Sequence, residues 1–338
     1  MHKNYQAWEI NYQEFYEKDK RVDKLAFLLH FAVLAPSSHN SQPWKFRVDE
    51  NQIAVLPNPE RLLDVADHDR RFLYIALGFA LENILIAADY YNLETQVEYF
   101  PANMQSAAAK VSFKENPDPS QKSQKHLIFA IPQRRSNRNK YTQQMPNEEF
   151  LDQIKNSSTA EVEVTLVTER ANKEKIADML MQARLRAFDN KDFRAELANY
   201  KRNNLTRSSF GMPGFTMGFS TPLSLVAPFL IRHVNVMKLI KKREEELLKK
   251  YTPVLAIIST KEDSNLAALK AGQTLARVTL EAERQKVQTA MSAVPLNPKE
   301  LRGIIHTTFR PQLLLRMGYA NQIPKHSPRF TVSEVLTS

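Results

Sequence analysis

Apolar positions along this chain mostly alternate with polar ones in short runs, and two longer segments read as long helices. The first, Phe72 to Tyr91, is apolar nearly all round (Ile75, Leu77, Phe79, Leu81, Ile84, Leu85, Ile86), which predicts a central, buried helix. The second, Leu266 to about Thr289, predicts another long helix. Residues 13–34 read as helix, with Leu25, Leu28, Leu29 and Ala32 on one face. Lys45–Asp49 and Gln52–Leu56 read as strands around the turn Asp49–Asn51, and Thr95–Tyr99 and Ala108–Phe113 as two more. Asn116–Lys125, rich in Pro, Ser and Lys, marks a boundary. Beyond it, Asn147–Ile154 and Asn172–Asn190 read as helices, Glu161–Val167 as an alternating strand and Pro253–Ile258 as a buried strand. Lys191–Arg232 shows few clear elements.

The two long helices can be laid over each other. Gly78-Phe-Ala-Leu-Glu-Asn-Ile-Leu-Ile-Ala-Ala88 matches Gly272-Gln-Thr-Leu-Ala-Arg-Val-Thr-Leu-Glu-Ala282 at a constant offset of 194. Glycine inside a helix is costly, so its recurrence at one place points to close helix contact there. Chance similarity between two core helices is the alternative on these residues alone. A true repeat predicts an α+β fold in two homologous halves, residues 1–125 and 126–338. Their long helices would pack as those of a symmetric dimer do, giving a pseudo-dimer in one chain.

Charge widens the range of partners. The net charge is +10 and the pI about 9.5, compatible with nucleic acid, an anionic membrane surface or a phosphorylated ligand. The densest run, Lys241–Lys250, carries acids and bases at i,i+4 spacing, as a solvated helix face does. No aromatic–basic motif supports nucleic-acid binding. The chain has no cysteine, which excludes disulfides, thiolate metal sites and a cysteine nucleophile; no metal site is expected. None of its seven glycines forms a GxGxxG or GxxxxGK[ST] pattern. The N-terminal residues lack an apolar signal core, which predicts a cytoplasmic protein. Phe215–Ile231 is apolar but spans only about 17 residues, at the lower limit for a bilayer span. It contains Pro222 and Pro228 and reads as a loop over something apolar; an interfacial contact is slightly favoured over a span.

Candidate chemistry sits in three places. In Pro36-Ser37-Ser38-His39-Asn40-Ser41-Gln42-Pro43-Trp44, six polar side chains lie between two prolines that stop the preceding helix and stiffen the loop. An ordinary polar turn is the plain alternative. Arg134-Arg135-Ser136-Asn137-Arg138, with Lys140 nearby, gathers four cations and a hydroxyl. They repel one another unless an anion sits among them, and the planar guanidinium fork suits phosphate; a solvated basic loop is the alternative. Lys325-His326-Ser327-Pro328-Arg329 is a third basic element that could complete the same anion site.

Together, Pro36-Ser-Ser-x-Asn-Ser-Gln-Pro-Trp44, Arg134-x-Ser-x-Arg138 and Ser-Pro-Arg329 resemble the flavin-binding elements of the nitroreductase family, and their arrangement in one chain resembles its twin-domain, Acg-like branch. The resemblance implies a nitroreductase-like fold with FMN bound between the halves. Carried over by position, Arg134, Ser136, Arg138 and Arg329 hold the phosphate side. Pro36, Ser37, Ser38 and Asn40 hold the ring and ribityl side, with Gln42 as support. The turn at Ser292, Ala293, Val294 and Pro295 stands loosely where the family offers a backbone N–H to the flavin. The first half lacks Arg-x-Ser-x-Arg and the second lacks Pro-Ser-Ser-x-Asn, so one FMN per chain is expected. The implied activity is an NAD(P)H-dependent oxidoreductase passing hydride through the flavin to a small nitroaromatic or quinone-like acceptor. No catalytic side chain is nominated. Asn203–Pro228 is expected to form a lid, with Met212, Phe215, Met217 and Phe219 over the ring. A closed lid would instead make the chain an FMN-sequestering protein without turnover. Either a monomeric pseudo-dimer or a homodimer fits.

Overall fold

The computed structural model describes residues 3–104, 106–115, 124–292 and 298–337. The first half runs α1 (Arg21–Ala32), β1 (Trp44–Asp49), β2 (Gln52–Pro57), α2 (Arg71–Tyr90), β3 (Leu93–Tyr99) and β4 (Ala109–Glu115). Its strands form an antiparallel sheet in the order β1-β2-β4-β3. The second half begins with α3 (Glu148–Lys155) and β5 (Val162–Val167). A long insertion follows: α4 (Arg170–Asp189), α5 (Lys191–Asn199), β6 (Lys201–Arg202), β7 (Met212–Pro213), α6 (Thr221–His233) and α7 (Val236–Lys250). The chain then completes β8 (Val254–Thr260), α8 (Asn265–Arg284), β9 (Gln288–Ser292), α9 (Pro298–Ile305), β10 (Arg310–Gly318) and α10 (Val332–Val335).

The second sheet is antiparallel in the order β5-β8-β10-β9. Strand for strand this is the order of the first sheet, and in each half the long helix joins the second strand to the third. The insertion stands where the first half has only the turn Glu50-Asn51 between β1 and β2. The halves meet along α2 and α8, both deeply buried. A methyl group added at Gly78 would fall far inside contact distance of the Leu269 carbonyl, and one added at Gly272 would do the same to the Ile75 carbonyl. Leu269 and Ile75 are themselves 194 positions apart, as the glycines are. Each helix therefore touches the other at equivalent residues, the signature of a two-fold axis. The repeat is structural, and chance similarity does not account for it.

Three details depart from the sequence reading. Residues 191–232 are not an unstructured excursion but include two helices and a short parallel strand pair. The second long helix stops at Arg284; Lys286 turns the chain with φ 61°, and Thr289 lies in β9. The helix read over 13–34 is a short turn at Tyr12–Phe15 followed by α1. Most of the boundary segment Asn116–Lys125 lies outside the described residues. The C-terminal arm also crosses back over the pseudo-dimer, where the Thr337 amide donates to the Phe46 carbonyl at 2.8 Å beside the Phe46–Leu336 bridge. Among the described residues, α2 is the single unbroken helix long and apolar enough to cross a membrane, and it is the core helix.

Candidate functional site: a cationic cleft between the halves

After α1 the chain extends through Ser37 and folds into a tight turn in which His39, Asn40 and Gln42 have φ of 55°, 53° and 54°. Non-glycine residues in this region carry strain, about 1–3 kcal/mol each. Hydrogen bonds over-determine the turn. Ser37 Oγ accepts from the Gln42 amide at 2.9 Å. Asn40 Nδ2 donates to the carbonyls of Gly211 (2.9 Å) and Pro328 (3.0 Å), and Asn40 Oδ1 accepts from Arg329 Nη1 at 2.6 Å. Gln42 Nε2 donates to the Ser209 carbonyl at 2.7 Å, and its Oε1 accepts from the Phe330 amide at 2.9 Å. Both amides are thus committed within the protein. They clamp the turn to residues 209–211 above it and to the C-terminal segment beside it.

One cleft gathers the sequence motifs. Its walls include Pro36, Ser37 and Asn40 from the turn, Arg134, Arg135, Ser136 and Arg138 from the start of the second half, and Lys325, His326 and Arg329 from the C-terminal segment. Ser136 is held by a bridge to Thr289, and the Asn137 amide donates to the Thr289 carbonyl at 2.8 Å, so the arginine segment is fixed along β9. Arg134 is buried, donates to the Leu34 carbonyl at 3.1 Å and faces the Phe79 ring at 5.4 Å. Arg329 is buried over Trp8 at 5.0 Å, with its Nε unpartnered. Arg138 is ringed by protein yet exposed to the open space of the cleft. Lys140 leaves the cluster and lies over Tyr251 at 4.3 Å.

None of Arg134, Arg135, Arg138 and Arg329 makes an ion pair among the described residues. Burial, with Arg135 adding and Glu283 opposing at longer range, lowers Arg134 to about 10. Burial and then Arg134 lower Arg329 to about 9. Burial and the surrounding arginines press His326 down to about 3, so its ring, stacked on Trp8 at 3.9 Å, is neutral at physiological pH. Four guanidinium groups without a paired carboxylate repel one another, and an anion among them would relieve that repulsion. The unpartnered Nε atoms of Arg135 and Arg329 are donor capacity of the kind a phosphate would fill.

The free space in and at the mouth of the cleft, open solvent included, is about 610 Å³, but the centre of a water molecule can reach only about 60 Å³ within it. A slot just wide enough for a planar ring leaves water centres a slab under about 1 Å thick, given carbon contacts near 3.5 Å and a 1.4 Å water radius. The cleft is therefore narrow, as a flat ligand requires. Met212 and Thr216, from the segment expected to form a lid, also line it. Of the other expected lid residues, Phe215 faces an adjoining pocket, and Met217 turns its sulfur to the buried ammonium of Lys201.

Lys201 is the residue the sequence reading missed most plainly. It is buried, its side-chain partners are the sulfurs of Met217 and Met212 (3.9 Å), and burial reinforced by Arg138 holds it down to about 7. The unfolded chain then binds more protons than the folded one between about pH 7 and 10.5, so folding stability should rise with pH across that window. In the flavin-free protein, Lys201→Met should remove this rise; equal pH slopes in denaturation of the two proteins would contradict the assignment. Trp8 was also missed, because only the folded chain brings it to the cleft. Ser38 was expected at the site but lines a neighbouring pocket with His39, His68 and Phe193. Gln42 is fully buried away from the cleft surface. Ser292 ends β9 with its hydroxyl buried and unpartnered, while Met291 beside it reaches the cleft; Ala293 lies outside the described residues.

No known protein-family model matches the chain. Three curated proteins of Mycobacterium tuberculosis align with nearly all of it. "Putative NAD(P)H nitroreductase acg" is 23% identical over 323 residues, covering 93% of this chain and 95% of its own. "Putative NAD(P)H nitroreductase Rv3131" is 24% identical over 319 residues, covering 91% and 90%. "Uncharacterized protein Rv3127" is 24% identical over 320 residues, covering 90% of each. Among solved structures, the FMN-dependent nitroreductase NfnB of Mycobacterium smegmatis, in complex with NADPH, aligns with a TM-score of 0.41 at 17% identity, over 61% of this chain and 94% of its own. Iodotyrosine deiodinase bound to FMN and 3-iodo-L-tyrosine aligns at 0.39 and 13%, over 61% and 95%. Fold and cleft define the class: a twin-half α+β protein with a cationic cleft at the junction of the halves. Over nearly its whole length the chain is similar to proteins named putative NAD(P)H nitroreductases, the Acg protein among them.

Proposed function

We propose that the chain binds one FMN in this cleft and serves as an NAD(P)H-dependent oxidoreductase of nitroreductase type. The observation that most supports the reading is the meeting of four unpaired arginines with the Pro36–Asn40 turn at a narrow slot. Arg134, Arg138 and Arg329, joined by Arg135, would hold the phosphate, and Ser136, Pro36 and Ser37 would flank the rest of the ligand. Asn40 and Gln42 position the turn and lid around it. The bound flavin would supply two-electron chemistry between NAD(P)H and a nitroaromatic or quinone-like acceptor. The chain's own contribution is to orient the ligand, exclude water beneath the lid and surround the site with positive charge. Neither His326 nor His39, both held neutral near pH 7, supplies a proton.

A second reading, FMN sequestration without turnover, is favoured by the clamped lid, because Asn40 and Gln42 tie residues 209–211 down over the slot. The FMN-loaded protein should oxidise NADH or NADPH when a nitroaromatic or quinone is present. FMN that stays bound and is not bleached anaerobically by either nucleotide would instead assign the sequestering role.

A further inference from the structure

The outer face of α6 reverses the usual pattern of a helix on a water-soluble surface. Its small or inward residues Ser224, Ala227 and Ile231 are buried, whereas Leu223, Leu225, Val226, Phe229 and Leu230 face outward. Phe229 is 66% exposed, and beyond the next bend Leu239 is 76% exposed. A continuous apolar stripe of this kind marks a contact surface rather than a solvated face.

Charge says what covers it. From Thr221 to Arg243 the chain has no carboxylate, and it carries Arg232, Lys238, Lys241, Lys242 and Arg243. Lys238 pairs with Asp189 and Lys241 with Glu245, both at exposed positions where such pairs hold weakly, while Lys242 and Arg243 make no ion pair among the described residues. An apolar helix face with a cationic collar at one end matches a bilayer surface bearing anionic headgroups. A second copy of the chain is a poor occupant. A symmetric contact would set the collars together or against the start of α6, and neither offers a carboxylate. The helix is too short to span: its 13 residues cover about 20 Å against a hydrocarbon core of about 30 Å, and α7 departs from it at 111°.

We propose that α6 and the start of α7 form a peripheral docking surface for membranes rich in anionic lipid, with α6 lying in the headgroup plane. The surface does not depend on the flavin reading. The test is co-sedimentation of the full chain with vesicles of phosphatidylcholine alone and with about one-third phosphatidylglycerol. Binding should occur to the anionic vesicles and fall with added salt. Phe229→Glu with Leu225→Glu, and separately Lys241→Glu with Lys242→Glu, should each weaken it at least about tenfold at an unchanged unfolding midpoint. Absence of binding to anionic vesicles, or binding unaffected by both double variants, overturns the proposal. A dimer in sedimentation that Phe229→Glu dissolves, with no vesicle binding, assigns the face to a second copy and overturns it too.

Discussion

FMN affinity is expected to fall by at least about a hundredfold when Arg134 and Arg138 are both replaced by alanine, since a hydrogen bond to a charged group contributes about 1.5–3 kcal/mol and each 1.4 kcal/mol is tenfold. The two side chains belong to a cluster with no paired carboxylate, so their charge is available to a ligand rather than spent on a neighbour. Single substitutions should show smaller losses, because Arg135 and Arg329 remain and contributions within one cluster are not additive. Riboflavin, which lacks the phosphate, supplies the control: its affinity should change little in the same double variant. Equal losses for both flavins would mean that the arginines support the cleft generally. No loss for FMN would remove the phosphate assignment.

Gly78→Ala and Gly272→Ala are each expected to lower stability by about 2–3 kcal/mol, the upper range for forcing atoms into a filled core. The sign is the diagnostic part, because Gly→Ala inside a helix otherwise stabilises by about 1 kcal/mol. Here the added methyl meets a backbone carbonyl, Leu269 in one case and Ile75 in the other, which cannot rotate aside as a side chain would. Relief requires α2 and α8 to separate along the seam that joins the halves. The two losses should be similar, as the two-fold relation of the contacts demands. Denaturant titration of each variant measures them; a gain at either glycine, or a large loss at one alone, would contradict the symmetric crossing.

Much of this architecture was legible because it rests on local or periodic signals. The first sheet's alternation, the apolar helix α2 and the recurrent glycine of the two long helices are all present in the folded chain. The arginine cluster was legible because like charges so close in sequence demand an explanation. What escaped depended on tertiary context. Helix α6 carries a start signal, Ser220-Thr221-Pro222, but Pro228 inside it and an apolar face turned outward hide its periodicity. The end of α8 was overrun because a lysine, not a glycine, takes the left-handed turn at 286. Lys201 and Trp8 carry no local mark of a site and acquire a role only when β6, the N-terminal turn and the C-terminal arm converge. Asn40 and Gln42 stand in the right motif, but their amides face the lid and the C-terminal segment, a choice fixed by partners about 170 and 290 residues away.

The central claim is a single phosphate-reading flavin site at the junction of the halves. Equilibrium titration of the wild-type, flavin-free chain with FMN and with riboflavin tests it most directly. One FMN per chain should bind, and more tightly than riboflavin by at least the factor lost in the double arginine variant. Two FMN per chain, equal affinity for the two flavins, or a protein that binds neither would contradict it.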